Sequence, residues 1–183
     1  DGEGESGLLS VEISIEDTVS SLYFNGSGWQ SEAFWVVPDG TDSWSYGLSS
    51  NQLTDGHGYI VSSIARDIVL NLQSEHGISR FTYDASEPST VFSIPNDFYN
   101  YEGWNVQAPI QGTSSDDFSG IEMVEVSVVD ETDGGVYFHG DGWGEDEQWF
   151  TVHGQEEWDH VFHAEEFTDT HQYRVYLRST DLA

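Results

Sequence analysis

The sequence has no cysteine and no lysine, and only four basic residues, Arg66, Arg80, Arg174 and Arg178. Without cysteine there are neither disulfides nor thiolate metal sites, so composition carries no record of a redox compartment. Without a basic surface the chain cannot displace the counterions of a nucleic acid, which excludes that class of partner. Against the 4 basic residues stand 34 acidic ones, a formal net charge of −30, and an anionic membrane surface would repel it. Long apolar runs are missing as well. Ala33-Phe34-Trp35-Val36-Val37 is about the longest, far short of the roughly 18 residues of a membrane span, so no membrane insertion is expected.

What is present argues for a packed core. The chain carries 7 Trp, 9 Tyr and 10 Phe, 14% aromatic, which is too much apolar area for a solvated, disordered polyanion. A carboxylate surface over such a core repels itself at low salt and suits surroundings rich in cations. The lysine-free, acid-rich composition resembles that of proteins from salt-loving microbes.

The chain repeats itself. Ser6-Gly7-Leu8-Leu9-Ser10-Val11-Glu12-Ile13-Ser14-Ile15-Glu16-Asp17 aligns with Ser119-Gly120-Ile121-Glu122-Met123-Val124-Glu125-Val126-Ser127-Val128-Val129-Asp130 at an offset of 113. After one inserted residue the offset becomes 114 and holds: Tyr23-Phe24-Asn25-Gly26-Ser27-Gly28-Trp29 matches Tyr137-Phe138-His139-Gly140-Asp141-Gly142-Trp143. Trp35 then pairs with Trp149, Trp44 with Trp158, Asp55 with Asp169, Tyr59 with Tyr173 and Asp67 with Asp181. Residues 68–118 occur once, so a unit of this period does not fit twice into 183 residues. The expectation is that the first copy lacks its first strand, the second lacks its last, and the chain belongs to a longer tandem array.

Within each copy the signals are those of strands. Val11, Ile13 and Ile15 alternate with Glu12, Ser14 and Glu16, and Val124, Val126 and Val128 alternate with Glu125 and Ser127. This period of two turns one face inward. Tyr59, Val61, Ser63 and Ala65 form a second inward face, as do Tyr173, Val175, Leu177 and Ser179. Gly, Asp, Asn and Ser punctuate the chain every ~10 residues, and no window shows a 3.6 period. The prediction is all-β: two tandem antiparallel β-sandwich repeats of about seven strands each, with helix below about a fifth of the residues. Strands are expected at 8–16, 21–25, 33–37, 43–48, 59–66 and 77–83, then one within 91–112, and others at 121–129, 135–139, 148–152, 157–162 and 173–180. Domains follow as repeat 1 over 1–84, a linker over 85–90, and repeat 2 over 91–183.

The ordered set Ser-Gly-x3-Val-Glu-Val, Gly-x-Gly-Trp, Trp-x3-Phe and Asp-x3-Tyr-x-Val-x5-Asp resembles bacterial and archaeal immunoglobulin-like repeats. Ile110-Gln111-Gly112-Thr113-Ser114-Ser115-Asp116-Asp117-Phe118-Ser119-Gly120 is similar to the segment that enters such repeats. The usual Gly-Asn after the strand-end aspartate is absent, since Asp67 is followed by Ile68-Val69-Leu70-Asn71. The resemblance implies a non-enzymatic structural or adhesive segment of a secreted or cell-surface stalk, adhesin or filament protein, located outside the cell. A carbohydrate- or ligand-binding β-sandwich module, accessory to a glycan-degrading enzyme, is the rival. Exposed coplanar tryptophans would favour that rival; buried ones would sink it.

Candidate chemistry is sparse. Tyr59 and Tyr173, each four residues after an aspartate, read as tyrosine corners that bond back to the backbone. The seven histidines show no ligand spacing and read as solvated. No nucleophile elbow, His-Glu-x-x-His or phosphate loop appears. Calcium is the one metal the composition could hold, since it takes six to eight carboxylate and carbonyl oxygens. An up-and-down strand count turns Glu3, Glu5 and Asp55 of the first copy toward Asp130, Glu131 and Asp133 of the second, with Asp84 and Glu87 in the linker. These eight residues are the candidate inter-repeat calcium ligands. An incomplete sandwich leaves an open edge. Neighbouring repeats or subunits are therefore expected as partners, by strand complementation or end-to-end contact, beside a glycan or other surface ligand.

Overall fold

The computed structural model describes residues 7–94, 98–99, 102–104 and 110–183, and the chain divides into two compact units, Asp1–Ala85 and Ser86–Ala183. The protein is all-β, with 48% strand and 5% helix, well under the fifth at which a sandwich reading would fail. Among the described residues no helix is long and apolar enough to cross a membrane.

The first unit contains β1 (Leu8–Asp17), β2 (Leu22–Phe24), β3 (Trp29–Gln30), β4 (Asp39–Gly40), β5 (Trp44–Ser45), β6 (Gly58–Asp67) and β7 (Gly77–Thr82). One antiparallel sheet runs in the order β3-β2-β1-β6-β7, and β4 and β5 form a separate hairpin. Alternation on β1 does what the pattern requires: Val11, Ile13 and Ile15 are buried and pack with Phe24, Val36 and Tyr59. The strand expected at 33–37 reduces to one bridge, in which Ile13 and Val36 each donate an N–H to the other's carbonyl at 2.8 Å. Pro38 follows at once and has no N–H with which to extend that ladder.

The second unit contains β8 (Ser89–Ile94), β9 (Ile110–Ser115), β10 (Ile121–Asp130), β11 (Val136–Phe138), β12 (Trp143–Gly144), β13 (Phe150–Thr151), β14 (His153–Gly154), β15 (Glu157–His160) and β16 (Tyr173–Asp181). One sheet joins β12-β11-β10-β13 with β16 also on β10, and the other runs β14-β15-β9-β8. The residues between β7 and β10 differ from expectation. Two strands stand where one was expected within 91–112, and β8 begins at Ser89, inside the stretch 85–90 read as linker. The two-residue strands β3, β4, β12 and β14 were not expected; runs that short carry no periodicity to read.

Registers in the two units correspond residue for residue. β1 pairs β6 from Leu8↔Asp67 through Val11↔Ala65 to Asp17↔Tyr59, with a shift between Leu8 and Ser10. β10 pairs β16 from Ile121↔Asp181 through Val124↔Ser179 to Asp130↔Tyr173, with a shift between Ile121 and Met123. Tyr23↔Gln30 and Phe24↔Trp29 recur as Tyr137↔Gly144 and Phe138↔Trp143. Asp39↔Ser45 and Gly40↔Trp44 recur as His153↔Asp159 and Gly154↔Trp158. In these last hairpins Gly40 and Gly154 have φ of 89° and 93°, a backbone conformation that side chains with a Cβ avoid. A one-residue slip would invert every buried face, so the matching register turns the corresponding residues of β1 and β10 inward.

The cores differ in depth. In the second unit Ile110, Trp158 and Phe162 join the valines of β10. In the first unit nothing stands where β8 and β9 do, among the described residues, and the core is smaller.

Candidate functional site

Each unit ends a ten-residue strand, β1 in the first and β10 in the second, in a buried aspartate that clasps a histidine. Asp17 closes β1, its side chain 7% exposed, and its Oδ2 lies 2.8 Å from His57 Nδ1. Its Oδ1 accepts the N–H groups of Val19 and Ser20 at 2.9 and 3.2 Å. Asp130 closes β10 in the same manner, with Oδ2 on His171 Nδ1 and Oδ1 accepting from Thr132 and Asp133 at 2.9 and 3.1 Å. Burial alone would raise both carboxyl pKa values. The bonds from His57, Ser20 and Val19 in one unit, and from His171, Asp133 and Thr132 in the other, outweigh it and hold both below the ordinary carboxylate range. The clasp ties the turn after the first long strand to the turn before the second, 40 residues away in the first unit. Both oxygens of each aspartate are engaged, so the arrangement is a lock on the sheet's end.

Beside each clasp stands the expected tyrosine corner. Tyr59 Oη accepts the Thr54 N–H at 2.8 Å, and Tyr173 Oη accepts the Thr168 N–H at 2.7 Å. Burial raises the pKa of Tyr173 and keeps the phenol protonated. The solvated reading fits His76, His139, His153 and His163, which are exposed, but not the partly buried His57, His160 and His171. His57 and His171 are held in the clasps, and His139 Nε2 lies 2.8 Å from the Asp146 carbonyl oxygen. His76 meets Trp35 edge-on at 5.2 Å. His160 packs on Phe162 with ring centroids 4.5 Å apart, and burial lowers its pKa.

The tryptophans are committed to packing in most places. Trp29 Nε1 donates to the Gln52 carbonyl at 2.8 Å and Trp143 Nε1 to the Glu166 carbonyl at 3.3 Å, an equivalent pair of bonds. Trp149 lies under the Arg178 guanidinium at 4.1 Å, and Arg178 also donates to Glu125 at 2.7 Å. Trp104 Nε1 donates to the Phe162 carbonyl at 2.8 Å. Trp158 is 2% exposed, whereas its counterpart Trp44 is 40% exposed.

Two concavities accompany this asymmetry. In the first unit a groove of about 420 Å³ runs between Ile13, Ile15 and Val61 of the sheet and Trp44, Tyr46 and Leu48. Its lining is almost wholly apolar. In the second unit a cavity of about 530 Å³ lies over Tyr173 and Val175, bordered by Phe98, Tyr99, Trp104 and Phe167. In the first unit the equivalent tyrosine, Tyr59, is covered by Phe81 of β7, stacked at 5.1 Å.

The calcium candidates are distributed as follows. Glu3 and Glu5 lie outside the described residues. Asp55 accepts the Ala85 N–H at 2.7 Å. Asp84 is half-buried at the end of the first unit, and Glu87 is exposed near the start of the second. Asp130 is turned inward to His171, Glu131 pairs with Arg174, and Asp133 is an exposed turn residue. Among the described residues no three His, Asp or Glu side chains are grouped to hold a metal ion. Sequence reasoning had aligned Asp17 with Asp130 and His57 with His171 without joining them. Retention of both members in both copies was the available signal. Comparison with family models, with curated proteins and with solved structures finds no match to this chain.

Proposed function

We propose that the chain is a non-enzymatic structural or adhesive segment of an extracellular stalk, surface or filament protein. It consists of two tandem immunoglobulin-like sandwich repeats. The observation that carries this reading is the recurrence, at offsets of 113 and 114, of strand register, bulge, clasp and corner in both units. Duplicated geometry devoted to locking strand ends is what a serial spacer under load requires, whereas a catalytic site has no need of a second copy. The net charge of −30 keeps such an array extended and soluble where cations screen it.

Single-molecule extension tests the reading. Two discrete unfolding events are expected, releasing about 25 nm for β1–β7 and about 30 nm for β8–β16 at ~3.6 Å per residue. Gradual extension without discrete events would count against a mechanical segment. Of the carbohydrate-binding alternative, the structure offers one exposed indole, Trp44, among the described residues, and no row of them. Glycan binding abolished by Trp44→Ala would favour that alternative.

A further inference from the structure

We propose that Asn25 carries an N-linked oligosaccharide, at the tip of the hairpin that joins β2 to β3. The proposal rests on the extracellular reading above, because transfer to Asn-x-Ser/Thr takes place on chains that are exported.

Asn25-Gly26-Ser27 is the one place in the sequence where a serine or threonine stands two residues after an asparagine with no proline between. Asn51, Asn71, Asn96, Asn100 and Asn105 are followed at that distance by Leu53, Gln73, Phe98, Glu102 and Gln107. Such a triplet arises by chance in many chains, and three features of the hairpin single this one out. The first is its place. The Asn25 N–H donates to the Gly28 carbonyl at 2.9 Å and closes a tight turn. Gly26 and Ser27 are exposed at its tip and Asn25 is half-buried. A Cβ on Gly28 would meet nothing within 4 Å, so the tip has the open space that a bulky glycan needs.

The second feature is the amide itself. Asn25 Oδ1 accepts the Ser27 N–H at 3.1 Å, the Ser27 hydroxyl at 3.0 Å and the Gly28 N–H at 3.0 Å. Asn25 Nδ2 has two N–H groups. One donates to Gln30 Oε1 at 3.0 Å, and the other has no hydrogen-bond partner among the described residues. Glycosylation replaces one N–H of Nδ2 and leaves the other. The unpartnered one is available for replacement while the bond to Gln30 is kept, so the hairpin gives up no hydrogen bond. The donor is an oligosaccharide carried on a polyprenyl phosphate or pyrophosphate. Nδ2 attacks its anomeric carbon, the C1–N bond forms and the C1–O bond to phosphate breaks. The displaced proton passes to a base of the transferase, and the lipid phosphate departs.

The third feature is the comparison between units. The hairpin of β11 and β12 has the same register, with Phe138↔Trp143 matching Phe24↔Trp29. It is closed by the same bond, from the His139 N–H to the Gly142 carbonyl at 2.8 Å. Yet His139 and Asp141 stand where Asn25 and Ser27 do. The turn therefore forms without an asparagine or a hydroxyl at these positions, and the fold alone does not account for the pair in the first unit. One glycan per chain is the consequence, on the first unit only.

The test is made on the protein as its own cells produce it, recovered separately from the cell exterior and interior. Cleavage after Phe24 and Trp29 by chymotrypsin releases the peptide Asn25-Gly26-Ser27-Gly28-Trp29, whose mass is then read. The exterior protein is expected to yield this peptide with an oligosaccharide on Asn25. Asn25→Gln and Ser27→Ala lose the sugar completely, and Ser27→Thr keeps it. Hydrogen exchange on β1 and β6 like that of the parent shows that these variants fold, so that loss of the sugar is loss of the acceptor. A bare peptide from exterior protein overturns the proposal and leaves the extracellular reading standing. A sugar that persists in Asn25→Gln lies on another residue and also overturns it. Protein recovered only from the cell interior defeats the extracellular reading first and the proposal with it.

Discussion

Replacing Trp158 and Trp44 by alanine, one at a time, exposes the difference between the two units. Trp158 is 2% exposed, pressed between Gly112 and the edge of Phe92, and its Nε1 has no hydrogen-bond partner among the described residues. Truncation therefore loses packing and leaves a cavity, but breaks no hydrogen bond. A fully buried large aromatic costs about 3–5 kcal/mol on such truncation. The unpartnered indole N–H places the expected loss at the lower end, about 3 kcal/mol. Trp44, at 40% exposure, has lost much of that burial already and has open space on one side. The expected loss is about 1 kcal/mol. The assay is urea unfolding of the full chain with hydrogen exchange read separately on β10 and β16 and on β1 and β6, so that each unit reports its own stability. Trp158→Ala should shift only the second unit and Trp44→Ala only the first, with at least a twofold difference in cost. Equal costs, or a Trp158→Ala loss under about 1 kcal/mol, would refute the argument that β8 and β9 complete the second core and leave the first open.

Other expectations follow from the clasps, the corners and the charge. Asp17→Asn and Asp130→Asn should each cost about 1–3 kcal/mol at neutral pH, because a buried carboxylate with several hydrogen bonds is replaced by a group that cannot accept them all. The folded pKa of each aspartate is depressed, so its stabilisation is present above the unfolded value of about 3.8 and is lost as pH falls through the folded pKa. Acid titration of the double Asn variant should accordingly show a shallower loss of stability below about pH 4 than the parent; an unchanged slope would remove the clasps from the account. Tyr59→Phe and Tyr173→Phe should each lower stability by about 1 kcal/mol by leaving the Thr54 or Thr168 N–H unpaired, read as a fall in Tm. Raising NaCl from about 10 mM to about 1 M, which shortens the screening length from roughly 30 to roughly 3 Å, should raise Tm, because repulsion within a chain of net charge −30 is relieved.

The features legible in the sequence were those with local periodicity or internal duplication. Alternation placed Val11, Ile13 and Ile15 in one core and Val124, Val126 and Val128 in the other, and the Asp-x3-Tyr spacing located both corners. The clasps were not read because their partners are 40 and 41 residues apart. In a chain this acidic, any aspartate has many candidate partners. The asymmetry of Trp44 and Trp158 was equally hidden. It depends on β8 and β9, which lie outside the duplicated segments, so aligned tryptophans gave no hint of unlike burial. For the calcium candidates, strand order indicated loop ends, but Asp130 turned inward to a histidine and Glu131 to Arg174. Neither preference can be seen without the fold.

The central claim is that residues 8–67 and 121–181 adopt one fold in one register. Cross-strand NOEs on the isotope-labelled full chain measure this directly. The account predicts contacts of Val11 with Ala65 and of Asp17 with Tyr59 in one unit, and of Val124 with Ser179 and of Asp130 with Tyr173 in the other, each with the same shift near the strand start. A register that differs between the units by a single residue would turn opposite faces inward and contradict the claim.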